Sequence, residues 1–341
     1  MTSKFNYPGI FARKLAAVIP IIIAISACQN SPSSSDEKIV GGSGNIPANH
    51  PGSTSTVALV YEDAPTEDLR AACTGTVIAK DLILTAAHCV DSARKGVLTV
   101  YFTKNSESRV GSVLKKIKVA DFRIFPKFFE QYEISFDVAW LRLAEPIPDF
   151  ASPVPIVVDE RLLVSGTPVD LAGYGNIAMS FSAGQFEKRF VSVHIEKFIN
   201  RTPFHALLFF REPEKGMCYG DSGGPLFMKV NGSWAVAGVT KGLVTSQFGG
   251  NFNCKDTGIY TFPGMYIDWL ERTSGTKLTH VGNKKSEQVS EIWAKDSIMT
   301  VEQICGKKEL SKNEFMKLSA IHFETNKVDC SEAIKAWKAR R

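Results

Sequence analysis

Three residues far apart in a 341-residue chain carry groups that together could open an amide bond. Ser222 sits in MCYGDSGGPL, residues 217–226. A serine hydroxyl holds its proton at neutral pH. It attacks a carbonyl only with a base within hydrogen-bond reach and a third group to orient that base. Histidine titrates in the needed range, and the chain has His50, His88, His194, His205, His280 and His322. His88 interrupts LILTAAHCV, an apolar, strand-like run that ends in small residues and a cysteine. Asp137 heads SFDVAWLRL, where Val138, Trp140 and the leucines describe a buried strand. A carboxylate there is costly to bury without a partner. Taken singly, each has an ordinary structural reading: a small-residue turn, a satisfied core histidine, a capping or surface aspartate.

The elements that must position them follow from the order. TAAHC, FDVAWLRL and GDSGGPL run His, Asp, Ser along the chain, the order of the chymotrypsin template. In these segments the sequence resembles the chymotrypsin-like, or trypsin-like, serine proteases. The resemblance extends from Ile39 to about Thr273. HPGSTSTVAL is similar to the family's first strand and CTGTVIAKDLILTAAHC to its second and third. LAGYG stands where the family has Gly-Trp-Gly, and PGMYIDWL is similar to the closing helix. The implied fold is all-β: two six-stranded antiparallel β-barrels with a C-terminal helix.

The resemblance implies the roles. Ser222 is the nucleophile, His88 the general base, and Asp137 the group that orients the imidazole. The backbone N–H groups of Gly220 and Ser222 form the oxyanion hole. IVGG, Ile39 to Gly42, follows Lys38 and is similar to a zymogen activation site. Cleavage after Lys38 would free the amine of Ile39 to pair with Asp221. Implied disulfides are Cys73–Cys89 and Cys218–Cys254, which leaves Cys305 with Cys330. Gly216 stands at the floor of the primary pocket, beside Met217, and Gly242 and Gly258 stand at its walls. No carboxylate sits at the floor and two glycines leave the pocket open, so cleavage after large or medium apolar residues is expected. Asp256 lies close enough in sequence to alter that. Thr240 keeps a hydroxyl able to bond the triad carboxylate. Lys241 replaces a large aromatic of the outer subsites, so either acidic substrate residues are welcome there or the register differs by one.

The rest of the chain sets the compartment. Lys4, Arg13 and Lys14 precede the apolar run Leu15 to Ala27, too short for a spanning helix of roughly 20 residues and arranged as an export signal. ISAC, Ile25 to Cys28, resembles a bacterial lipobox, which implies a signal peptide over 1–27 and lipid on Cys28. The alternative is an ordinary signal cut nearby, with Cys28 a spare thiol. Without Cys28 an even six cysteines remain, as suits an exported, oxidised chain. The Ser-rich segment 28–38 reads as linker and activation peptide, and 39–273 as the catalytic domain. A trypsin-like activator is implied, because a pocket without a carboxylate should not cut after Lys38. Such a cut would also part the domain from its membrane anchor.

Residues 274–341 exceed what the family fold needs. SKNE at 311–314 and TVEQ at 300–303 are capping-box patterns, and they describe a small, mainly helical extension stapled by Cys305–Cys330. It is either a packing appendage or a docking module. The net charge of +5 reads as a solvated surface rather than a nucleic-acid site. Zinc-type cysteine pairs and phosphate loops are lacking, and no metal or organic cofactor is implied. The expected partners are protein or peptide substrates. A catalytically silent binding or adhesion protein on the same fold is the alternative function.

Overall fold

The computed structural model describes residues 39, 41–62, 73–90, 97–103, 113–125, 128, 136–175, 187–201, 204–212, 214–243, 254 and 257–284. The leader and linker with Cys28 and Lys38, Asp256, and the extension beyond 284 with Cys305, Cys330 and its helices lie outside the described residues.

Six strands close the first barrel: β1 (Thr56–Glu62), β2 (Cys73–Ala79), β3 (Leu82–Thr85), β4 (Val97–Thr103), β5 (Val113–Ile124) and β6 (Ala139–Leu143). They pair antiparallel in the order β1-β2-β3-β6-β5-β4 and back to β1. β5 shows why. Ile117, Val119, Phe122 and Ile124 are buried while Lys116, Lys118 and Ala120 are exposed, the period-two pattern of a strand with one wet face. A bulge between Val119 and Asp121 moves the apolar set by one position and keeps it inward. β2 and β3 are buried almost throughout, because their outer faces meet the second barrel.

The second barrel uses β8 (Pro168–Gly173), β9 (Arg189–Arg201), β10 (Phe204–Phe210), β11 (Pro225–Val230), β12 (Ser233–Leu243) and β13 (Gly258–Thr261). The order is β8-β9-β10-β13-β12-β11, closed by β11 on β8. A short β7 (Ile156–Val157) adds to β12 in parallel. The described chain is thus mostly strand, two six-stranded antiparallel barrels as expected.

A turn at Pro263–Tyr266 leads into the helix α1 (Ile267–Ser274). This helix returns to the first barrel. The Trp140 indole N–H donates to Thr273 Oγ1 at 2.8 Å, and Arg142 donates to the Ser274 carbonyl. The Phe125 ring meets the Tyr266 and Trp269 rings edge-on at 4.9 and 5.2 Å. These contacts flank residues 136–138 and hold that segment in place. The fold continues past the expected boundary at 273. Leu278 is buried, and β14 (His280–Val281) pairs with β7, because the exposed edge of β7 offers backbone groups that need partners. Among the described residues no helix is long and apolar enough to cross a membrane.

Candidate active site

His88 lies in the tight turn Ala87–Cys89, directly after β3. Its Nδ1–H donates to Asp137 Oδ2 at 2.7 Å, and its backbone N–H donates to Oδ1 at 3.0 Å. Asp137 therefore holds the turn and the ring at once, and leaves Nε2 as the acceptor nitrogen. The carboxylate is fully buried, whereas the ring is 33% exposed and within reach of a substrate.

A third donor shares the carboxylate. Lys241 Nζ lies 3.4 Å from Asp137 Oδ2, with the lysine side chain buried. Burial raises the Asp137 carboxyl, but the charges of His88 and Lys241 and the His88 hydrogen bonds outweigh it and hold the group well below the usual carboxylate range. This corrects two expectations. Lys241 does not line an outer substrate subsite; its ammonium turns inward. Thr240 Oγ1 does not bond the carboxylate; its hydroxyl meets that of Tyr260, its neighbour across β12 and β13. The cause is a bulge in β12. Thr240 pairs with Tyr260 and Gly242 with Ile259 on β13, so residue 241 is the extra one and its side chain is re-aimed.

The Ser222 segment is bound to the same framework. The Thr74 N–H donates to the Ser222 carbonyl at 2.7 Å, and Thr74 Oγ1 donates to the Gly220 carbonyl at 2.8 Å. Cys73, next to Thr74, is disulfide-bonded to Cys89, next to His88. Gly223 packs so closely on Thr85 and Ala86 that a Cβ would collide with them. The serine loop and the histidine turn thus share one strand and one cross-link. Gly220 has φ +99°, a conformation other residues rarely adopt. Among the described residues neither the Gly220 N–H nor the Ser222 N–H donates a hydrogen bond. No hydrogen bond joins Ser222 Oγ to His88 there either, a contact that commonly tightens only around substrate.

Asp221 is fully buried in the intact chain. It accepts from the Cys218 and Gly175 N–H groups, each at 2.8 Å. Gly173 and Gly175 are glycines because the carboxylate occupies the space of their side chains. Burial pushes the Asp221 carboxyl up to about 7, against those two hydrogen bonds. Ile39 is also fully buried, although its Lys38 bond is intact.

The expected pocket residues are less open than the sequence implies. Met217 is buried at 2% exposure. Gly258 pairs with Phe210 across β10 and β13, and the Phe210 ring fills the place a side chain at 258 would take. Phe210, which no motif in the sequence signals, takes up the space beside Gly258. Gly216 is buried and Gly242 half-buried. The Cys218–Cys254 disulfide forms as implied.

Comparison with known proteins agrees with this geometry. The model of the trypsin family matches residues 39–270. The chain is similar to chymotrypsin-like elastase family member 1 of Felis catus, 27% identical over 212 residues, 58% of this chain and 77% of that protein. The Bos taurus protein of the same name gives the same identity and coverage. Vitamin K-dependent protein C of Mus musculus is 26% identical over 236 residues, 63% of this chain and 48% of that protein.

Proposed function

The chain belongs to the trypsin family, and on that premise we propose that it is an exported serine endopeptidase made as a zymogen. The observation that carries this reading is the His88–Asp137 pair at 2.7 Å, cross-linked through Cys89–Cys73 to the strand that holds the Ser222 backbone.

Ser222 Oγ attacks the scissile carbonyl carbon as its proton passes to His88 Nε2. Asp137 stabilises the imidazolium. The new oxyanion accepts from the Gly220 and Ser222 N–H groups, which have no other acceptor among the described residues. One such donor is typically worth about 2.7–4 kcal/mol in the transition state. The C–N bond then breaks as His88 returns the proton to the leaving amine. Water, deprotonated by the same imidazole, releases the acyl group from Ser222.

Cleavage after Lys38 by a separate trypsin-like protease would supply the one charge Asp221 lacks. The amine of Ile39 would pair with it and set the 217–222 loop. Met217 and Phe210 favour an apolar residue before the scissile bond, and the Phe210 ring favours a modest one. With lipid on Cys28, the same cleavage would free the domain from the membrane. Active enzyme starting at Ile39 but still lipid-bound in fractionated cells would refute that last step.

A fluorophosphonate label tests the main reading. Ser222 should react after cleavage at Lys38 and not before. Failure of the cleaved protein to react at Ser222 would make the silent binding protein the better description.

A further inference from the structure

Lys241 is the feature that the proposed chemistry does not require. It is a cation buried against the carboxylate that is meant to serve the histidine. Nζ and His88 Nδ1 lie on the same oxygen, Asp137 Oδ2, at 3.4 and 2.7 Å, so the two nitrogens are no more than about 6 Å apart. The lysine reaches this position from the bulge in β12.

We infer that Lys241 is a positioning residue that fixes Asp137 and sets the lower pH limit of Ser222 acylation. With the imidazole neutral, Asp137 and Lys241 together carry no net charge. Protonating the ring adds a positive charge to a site already balanced, where a triad without the lysine would gain a neutral ion pair. The lysine's charge therefore offsets part of the attraction between Asp137 and a charged ring. It does so at some cost to imidazolium stabilisation and hence to the maximal rate. Among the described residues Tyr266 also faces the carboxylate, beside Asp137 from the turn that opens α1; burial, then the charge of Asp137, pushes its phenol up. It stays neutral across the working range. The Tyr260 phenol is pushed up by burial and then by the charge of Asp221.

The inference rests on the hydrolase reading above, so the experiment separates the two. The activated enzyme and its Lys241→Gln, Lys241→Met and Lys241→Arg variants are labelled with a fluorophosphonate from pH 4.5 to 9. The pH of half-maximal labelling should rise by about one to two pH units in the Gln and Met variants, as expected for two unit charges some 6 Å apart at a protein's effective dielectric. It should stay at the wild-type value in the Arg variant. The plateau rate should rise in both neutral variants. Gln retains a donor to Asp137, so it folds if the pair needs only a hydrogen bond. A midpoint unmoved in a folded neutral variant overturns the role of Lys241 alone. A wild-type enzyme that never reacts overturns the hydrolase reading itself.

Discussion

Lys241 and His88 bind one oxygen of Asp137 from two different barrels: the lysine from β12 of the second, the histidine from the turn after β3 of the first. The carboxylate is the joint between them, and it has no exposed surface. Replacing it should therefore cost both chemistry and stability. In Asp137→Asn the imidazole loses its orienting acceptor, and kcat should fall by roughly 10⁴. Lys241 becomes a buried cation without a counter-charge, which should destabilise the fold by about 3–5 kcal/mol. The double variant Asp137→Asn with Lys241→Gln should regain most of that stability and none of the activity. Urea unfolding and a peptidase assay on the same samples check this. Equal stability of the single and double variants would show that the ion pair carries no energy.

The Cys73–Cys89 disulfide closes a sequence separation of 16 residues. A loop of that size restricts the unfolded chain by about 3 kcal/mol in the chain-entropy description. Replacing both cysteines by serine should lower stability by about that amount. It should also lower kcat, because the bridge ties the His88 turn to the strand that holds Ser222. Thermal melts and steady-state kinetics separate the two effects, and an unchanged kcat in the folded variant would limit the bridge to stability.

Asp221 makes the intact chain sensitive to pH. Its carboxyl is near its ordinary value when unfolded and is raised to about 7 by burial when folded. Below pH 4 it is protonated in both states. Between about pH 4 and 7 the unfolded chain releases the proton while the folded chain keeps it. Stability from this group therefore falls as pH rises through that window, by an amount on the order of a few kcal/mol, and levels off above it. In an uncleavable Lys38→Gln protein, denaturant unfolding should show this loss, and a further Asp221→Asn change should flatten it. Cleavage after Lys38 should also flatten it, if the Ile39 amine pairs with the carboxylate. A slope identical in all three would rule out Asp221 as the source.

Phe210 lies against Gly258 and fills the space the sequence left open. Phe210→Ala should broaden the pocket. Acceptance of large apolar residues should then improve relative to small ones by about 10-fold or more in kcat/KM. The same change empties a fully buried site and should cost about 3–5 kcal/mol. A peptide library profiled with both enzymes checks the first effect and urea unfolding the second. An unchanged profile would place Phe210 behind the pocket rather than in it.

Much of the site is legible along the chain because its chemistry demands particular residues at particular spacings. GDSGG by itself reads as a small-residue turn, and it marks Ser222 once TAAHC and FDVAWLRL are read with it in the order His, Asp, Ser. A backbone at φ +99° needs glycine, so Gly220 is visible. A buried carboxylate needs room, so the two glycines of LAGYG are visible as a motif before Asp221 is seen to occupy their space. The six strands of each barrel were implied by the resemblance rather than by any one run of residues. Lys241 and Phe210 were not legible, since each depends on what lies across a sheet.

The order of the triad segments stands in the chain itself, and the pairings Cys73–Cys89 and Cys218–Cys254 and the two-barrel architecture were implied by the family resemblance those segments carry. Where Lys241 points, what fills the space beside Gly258, and how far the fold runs past residue 273 were decided only in three dimensions. The reason is strand register. One extra residue in β12 turns a lysine from solvent toward Asp137, and one pairing between β10 and β13 sets a phenylalanine on a glycine 48 positions away. Such pairings depend on closing the whole barrel, and no short stretch of residues specifies them.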